Sequence, residues 1–138
     1  TRKMRAQEEE IRTRALELLE FVTLGDLADQ AAGRISGGQT KLLELARVLM
    51  GDPAVILLDE PAAGVNPSLT RILIERIEEL NRQGKTFVII EHDMDFIMRH
   101  CDPIIAFAIG VVVFQGTAQQ AQNSPTLLDA YLGAQADG

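Results

Sequence analysis

A run of four apolar residues, Val55 to Leu58, constrains the fold of this chain more than any other feature. Because four consecutive apolar side chains leave no polar face, the run predicts a strand that is buried on both sides. Thr86 to Ile90 predict a second buried strand, and the helical periodicity of Ser68 to Gln83, with Ser68 as N-cap, lies between the two. With a short helix predicted from Asp93 to His100, the succession of strand, helix, strand and helix predicts an α/β fold with a parallel sheet.

Polar residues follow both predicted strands at the points where the strands end. Asp59 and Glu60 come directly after the first strand, and Glu91 and His92 come directly after the second. In parallel sheets, ligands bind outside the carboxyl ends of the strands. Because a carboxylate pair in that position suits Mg²⁺ and an attacking water, this edge of the sheet is a candidate site for phosphate chemistry.

A glycine run precedes the first strand. Ile35-Ser36-Gly37-Gly38-Gln39 opens a predicted helix that runs from Gly38 to Met50. The N–H groups and the dipole of such a helix N-terminus suit an anionic phosphate. Taken alone, a Gly-Gly pair is more often a simple turn, and Asp59-Glu60 or His92 alone is more often structural. Their combination in one chain points to nucleotide hydrolysis.

The usual phosphate cradle, Gly-x-x-x-x-Gly-Lys-Ser/Thr, does not occur in the sequence. Gly84-Lys85-Thr86 matches the last three positions of this motif, but the motif also requires a glycine at the position where this chain has Glu79. The triplet also follows a predicted helix and opens a predicted strand, whereas a true cradle follows a strand and opens a helix. We therefore expect the chain, which begins with Thr1, to be the later part of an ATPase.

Composition narrows the classes of function. A net charge of −7, no Trp and one Tyr argue against a nucleic-acid-binding surface. The single cysteine, Cys101, excludes an internal disulfide and fits a reducing compartment. The longest strongly apolar stretch, Ile104 to Phe114, is too short for a membrane span. Because Gly110 divides this stretch, we expect a hairpin. Its apolar turn would form an exposed edge that promotes association, unless a neighbouring element or a second copy of the chain covers it.

The pattern divides the chain into two regions of one incomplete domain. Residues 1–52 predict a helical subdomain, in which an amphipathic helix from Met4 to Thr23 and a short helix from Leu24 to Gln30 precede the glycine run. Residues 53–138 predict the sheet, the hairpin and two further short helices, at Thr117 to Gln122 and at Pro125 to Leu132.

The order and spacing of these motifs resemble those of the ATP-binding-cassette (ABC) ATPases, the motor subunits of ABC transporters. Four motifs occur in family order. Ile35 to Gln39 resembles the signature motif, and Val55 to Asp59 resembles the Walker B strand, with Glu60 matching the catalytic glutamate beside it. Ala62 to Asn66 resembles the D-loop, and His92 matches the switch histidine. The signature motif departs from the family in having Ile35 where Leu is usual. The resemblance implies part of a P-loop NTPase domain, with a helical signature subdomain, a parallel-sheet core, a C-terminal β-hairpin and helices.

Four segments of the sequence are similar to the ATPases of branched-chain amino-acid importers. The similar segments are Gly38 to Arg47, Glu60 to Pro67, Ile90 to Met94 and Asp129 to Gly133. Asn66 stands where many ABC proteins carry an aspartate, and the resemblance implies that asparagine is normal in this subgroup. The glutamine loop and the aromatic adenine platform of the family do not occur in the chain.

The resemblance also implies ATP and Mg²⁺ as ligands and a role for each motif. Glu60 would act as general base on the attacking water, Asp59 would hold Mg²⁺ through a water, and His92 would contact the γ-phosphate and link it to Glu60. The signature residues would meet the γ-phosphate of ATP bound on a second ATPase subunit, and Asn66 would help to join the two subunits. The signature residues concerned are Ser36, Gly37, Gly38 and Gln39.

The implied protein is an importer ATPase on the cytoplasmic face of the cell membrane. Its partners would be a second ATPase subunit, the membrane permease subunits and, indirectly, a periplasmic or extracellular solute-binding protein. Two alternatives stay open: a non-catalytic module that pairs with itself or with a complete ATPase, and a soluble ABC ATPase of DNA repair or translation. Without the phosphate cradle, we expect this chain alone to bind ATP weakly or not at all, to expose core surface and to self-associate.

Overall fold

The computed structural model describes residues 1–127, and these residues belong to two units. The first unit comprises Thr1–Ile89, and the second begins at Ile90. The predicted division at residues 52 and 53 stays a prediction. The helix predicted from Pro125 to Leu132 extends outside the described residues, and the importer-like segment from Asp129 to Gly133 lies entirely outside them.

The first unit is mainly helical and contains a two-stranded parallel sheet. Its elements in chain order are α1 (Arg2–Phe21), two 3₁₀ turns (Gly25–Leu27 and Ala32–Arg34), α2 (Gly37–Leu49), β1 (Val55–Asp59), α3 (Pro67–Arg82) and β2 (Thr86–Ile90). The helix predicted from Leu24 to Gln30 is thus only a single 3₁₀ turn. The remaining predicted elements of this unit are present: β2 has the predicted boundaries, and the boundaries of the others differ by at most two residues.

The hydrophobic core of the first unit is built mainly by α2 and α3. Four apolar residues at helical spacing in α2 are all buried, and α3 contributes three further residues at the same kind of spacing. The buried cluster consists of Val22, Leu24, Leu42, Leu45, Ala46, Leu49, Ile56, Leu73, Ile77 and Leu80. This core fixes α2 and α3, and with them the loops that precede both helices.

The start of α3 differs from the prediction. Asn66, rather than Ser68, is the N-cap, and its side-chain oxygen accepts hydrogen bonds from Leu69 N (3.0 Å) and from Ser68 Oγ (2.7 Å). Pro67 occupies the first helical position, where its missing N–H costs nothing. The Asn-Pro pair was therefore a stronger start signal than the serine.

The prediction that both strands are buried on two sides is wrong for this chain. Along β1, Ile56 is buried, whereas Val55 and Leu57 are 52% and 74% exposed. Along β2, Val88 and Ile90 are 48% and 61% exposed. One face of the sheet packs on the core and nothing in the described residues covers the other, which confirms the expectation that the chain exposes core surface.

The second unit contains α4 (Met94–His100), β3 (Ile104–Ala108), β4 (Val111–Gly116) and α5 (Ala118–Gln122). The strands pair antiparallel as the predicted hairpin, with a bulge between Ala106 and Phe107. The turn consists of Ile109 and Gly110, which both have positive φ, a combination typical of tight hairpin turns. Ile109 is fully exposed and Phe107 is 69% exposed, so no described residue covers the apolar turn.

Candidate functional site

The signature-like segment forms the start of α2. Ser36 is the N-cap: its hydroxyl accepts a hydrogen bond from Gln39 N (3.3 Å), and its own backbone N–H donates to Gln39 Oε1 (2.8 Å). This reciprocal capping box fixes the entry of the chain into the helix. Ser36 is exposed, and its hydroxyl still has a proton that it can donate to an anion.

The two glycines of this segment have different surroundings. A Cβ atom added at Gly37 would meet no atom within 4 Å, so the backbone at this position is open to an approaching ligand. A Cβ atom added at Gly38 would lie 2.6 Å from Leu69 Cδ1 and 3.2 Å from Val65 Cγ1. Gly38 is therefore also a packing residue that allows α2 to approach the start of α3, a role that the sequence analysis missed.

Two carboxylates lie at the carboxyl end of β1. Asp59 is the last residue of the strand, Glu60 follows it, and both are exposed. Glu60 has a φ of 46°, a left-handed conformation that is uncommon for a residue with a Cβ atom. The chain thus turns sharply after the strand, and the Glu60 carbonyl accepts a hydrogen bond from Ala63 N (3.1 Å). Such strained backbone is concentrated at functional sites.

The D-loop-like segment joins this turn to α3. Val65 N donates to the Ala62 carbonyl (3.2 Å), and Gly64 has a φ of 69°, so the loop is a tight turn with its own hydrogen bond. Asn66 ends the loop as the cap of α3. Because Val65 also packs near Gly38, the structure brings the D-loop-like and signature-like segments together within the first unit.

His92 belongs to the second unit, whereas the other seven predicted site residues belong to the first. Its side chain is 77% exposed, and Nδ1 lies 3.9 Å from Glu91 Oε2. The Glu91 side chain is only 3% exposed. Asp93 follows as the cap of α4 and accepts a hydrogen bond from Phe96 N (3.2 Å). The buried carboxylate of Glu91 is a feature that the sequence analysis missed, although an acid directly after an apolar strand was a visible signal.

Lys85 has a structural role, in agreement with the rejection of Gly84-Lys85-Thr86 as a phosphate cradle. Its Nζ donates to Asp52 Oδ1 (2.7 Å) and to the Pro53 carbonyl (2.8 Å). The hydrogen bond and the charge of Lys85 together lower the pKa of Asp52. The triplet lies between α3 and β2, in the reverse of the order that a cradle requires.

The donor set fits Mg²⁺ and a phosphate group. Among residues 1–127, no group of three or more His, Cys, Asp and Glu side chains is placed to hold a metal ion by itself. Mg²⁺ does not require such a cage, because it keeps waters and is held by one or two carboxylates together with substrate phosphates. Exposed Asp59 offers such a carboxylate, and the open backbone at Gly37 permits close approach of an anion.

Comparisons with known proteins agree with these features. A family model described as ABC transporter matches residues 1–63. An ATP-binding cassette of an ABC transporter in its ADP conformation has the same fold, with a TM-score of 0.80 and 36% identity over 90% of this chain and 50% of that chain. The chain has the fold of part of an ABC ATPase domain. The predicted fold class is thereby confirmed.

Curated relatives narrow the similarity further. The chain is 43% identical over 129 residues to LivG of Archaeoglobus fulgidus, and the aligned region covers 94% of this chain and 50% of that protein. It is 40% identical over 130 residues to LivG of Escherichia coli K12, which covers 94% and 51%. Both relatives are named as branched-chain amino acid transport ATP-binding proteins, so the predicted resemblance is confirmed. The chain spans about half the length of the curated relatives that it matches.

Proposed function

We propose that this chain is part of the ATP-hydrolysing subunit of an ABC importer whose cargo is branched-chain amino acids. One observation carries the proposal: the carboxylates of Asp59 and Glu60 are exposed at the carboxyl end of β1, the edge where ligands of parallel sheets bind. The names of the relatives support the choice of cargo.

Asp59 and Glu60 are proposed to divide the work at the end of β1. Asp59 would hold Mg²⁺ through a water, beside the ATP phosphates. When bound, Mg²⁺ would neutralise the negative charge that develops on the phosphate oxygens. Glu60 would accept a proton from the attacking water while the oxygen of that water bonds to the γ-phosphorus. The bond between the γ-phosphorus and the bridging oxygen breaks, and ADP leaves with that oxygen.

The signature segment is proposed to act on a second ATPase subunit. The four residues Ser36, Gly37, Gly38 and Gln39 lie at or beside the N-terminus of α2, where a γ-phosphate bound to the partner would meet N–H groups and the Ser36 hydroxyl. Asn66 would lie where the two subunits join, and His92 would contact the γ-phosphate. Closure of the two subunits around ATP would then move the membrane permease subunits.

We propose that the working protein is bound to its permease on the cytoplasmic face of a membrane. Within residues 1–127, no helix combines the length and the apolar character of a membrane span. The net charge of −7 argues against a nucleic-acid partner and so against a DNA-repair or translation ATPase.

A non-catalytic interaction module is the second candidate, and the uncovered apolar surface of the described residues favours it. Leu57 is 74% exposed and Phe107 is 69% exposed, and such surface favours association. The chain also has no cradle lysine for the β-phosphate. Under either proposal, this chain alone binds ATP weakly or not at all, and saturable micromolar binding in calorimetry would contradict that expectation.

Sequencing of the gene upstream of the Thr1 codon separates the two candidates. An in-frame apolar strand followed by Gly-x-x-x-x-Gly-Lys-Ser/Thr would support the ATPase assignment, because the encoded subunit would then contain the cradle that this chain lacks. A start codon close to Thr1 with no such motif would instead favour the interaction module, and Asp59, Glu60 and His92 would not act in catalysis.

A further inference from the structure

A buried carboxylate lies directly beside the exposed histidine of the second unit. The side chain of Glu91 is 3% exposed, whereas that of His92 is 77% exposed. Removing a carboxylate from water costs several kcal/mol unless charged or hydrogen-bonding groups compensate. One neighbour of this carboxylate is the His92 imidazole, whose Nδ1 lies 3.9 Å from Oε2.

The charge of Glu91 also acts on a second group. The pKa of the Cys101 thiol is raised, first by burial and then by the negative charge of Glu91. Cys101 is the C-cap of α4, and its N–H donates to the Ile97 carbonyl (2.9 Å), so its position is set by the helix. The carboxylate thus lies within electrostatic range of both Cys101 and His92.

We propose that Glu91 is a positioning residue that holds the His92 ring with Nδ1 toward the carboxylate and Nε2 toward the incoming phosphate. A separation of 3.9 Å is too long for a direct hydrogen bond, but the attraction favours the proton of the neutral ring on Nδ1. A proton taken up at Nε2 can then be donated to a phosphate oxygen. The phosphate contact rests on the proposed function, whereas the orientation of the ring does not.

An exposed histidine side chain can sample several rotamers, and attraction to a neighbouring carboxylate reduces that freedom. Fixing the ring before the ligand arrives removes an entropic cost from the binding step. Carboxylates that contact a histidine through its other ring nitrogen fix the tautomer and the orientation in the same way at metal sites. Glu91 differs from Asp95, whose carboxylate is 87% exposed and lies 3.8 Å from Arg99.

The tautomer of His92 tests this proposal without nucleotide. The chain contains two histidines, so long-range ¹H–¹⁵N spectra of the labelled chain at alkaline pH, where imidazoles are neutral, resolve His92 with His100 as internal reference. We expect the Nδ1–H tautomer to be the major form of His92 and to become the minor form in Glu91→Gln. The His100 signals stay unchanged, and the control Asp95→Asn, which also removes one negative charge, leaves His92 as it is.

Two results would overturn the proposal: a major Nε2–H tautomer of His92 in the unaltered chain, or the same tautomer ratio in Glu91→Gln. The backbone amide spectrum shows whether Glu91→Gln is folded. If it is not folded, Glu91→Asp retains the carboxylate, and Nδ1–H is expected to stay the major form, whereas a major Nε2–H form contradicts the role. Because no ATP enters the experiment, failure of the ATPase assignment would leave this result unchanged.

Discussion

The contact between α2 and α3 at Gly38 makes a sharp prediction about stability. Gly37 and Gly38 are adjacent in the first turn of α2, but only Gly38 lies against another element. Replacing either glycine by alanine changes the helix propensity in the same direction. The difference in unfolding free energy between Gly37→Ala and Gly38→Ala therefore isolates the packing of α2 on Leu69 and Val65.

The distances set the size of the effect. A Cβ atom at Gly38 would lie 2.6 Å from Leu69 Cδ1, about 1 Å inside the ordinary contact distance between carbon atoms. Overpacking of this kind costs about 1–3 kcal/mol, and the flexible end of half-buried Leu69 favours the lower part of that range. Alanine returns up to about 1 kcal/mol of helix propensity at either position. We expect Gly38→Ala to be less stable than Gly37→Ala by about 1–2 kcal/mol.

Urea denaturation followed by circular dichroism at 222 nm measures this difference. With a slope of about 2 kcal/mol per molar urea, the midpoint of Gly38→Ala is expected to lie roughly 0.5–1 M below that of Gly37→Ala. Gly37→Ala is expected to equal or slightly exceed the unaltered chain. Equal midpoints for the two variants would refute the reasoning, because they would show that α2 does not approach α3 closely at Gly38.

Three further predictions concern charge and ligand binding. The lowered pKa of Asp52 adds stability that is present above the unfolded value near 3.8 and is lost as pH falls through the folded value, so the stability advantage over Lys85→Met should shrink below pH 4. The raised pKa of Cys101 means that iodoacetamide at pH 8 should modify the folded chain more slowly than the urea-unfolded chain. For the same reason, the stability of the folded chain should fall as pH rises above 9.0. Calorimetry with Mg-ATP should give no saturable micromolar binding to this chain alone.

The predictions for Asp52 and Cys101 have matched comparison variants. Arg82→Met removes another basic residue near the end of α3 without touching Asp52, so its stability should show no such pH dependence. An advantage over Lys85→Met that does not change with pH would contradict the ion-pair account. Glu91→Gln should speed the alkylation of Cys101 only in part, because burial is the larger cause of the shift and remains. Equal rates of Cys101 alkylation in the folded and unfolded chains would contradict a raised pKa of this thiol in the folded chain.

Helix positions were predictable because local signals agree with the packing. The face of α2 formed by Leu42, Leu45 and Leu49 is visible in the sequence and is buried in the structure. The start of α3 was misplaced because Ser68 and Asn66 are both good caps, and only the fixed φ of Pro67 distinguishes them.

Strand burial could not be predicted from the apolar run alone. The sequence of β1 specifies two apolar faces, but within the described residues only the face with Ile56 is covered, and Leu57 is exposed. Periodicity reports which residues suit burial and does not report what covers them. The packing role of Gly38 was missed for the same reason, since it depends on Val65 and Leu69, which are distant in the sequence.

Mg-ATP hydrolysis by the complete subunit is the measurement that tests the account most directly. The unaltered protein is compared with Glu60→Gln, a substitution that removes the proposed general base while keeping the shape of the side chain. Since general bases contribute about 10²–10⁴-fold, we predict that Glu60→Gln lowers kcat at least about 100-fold and leaves ATP binding intact. Glu8→Gln, on the exposed part of α1, is the control and should keep full activity. An unchanged kcat in Glu60→Gln would contradict the proposed site.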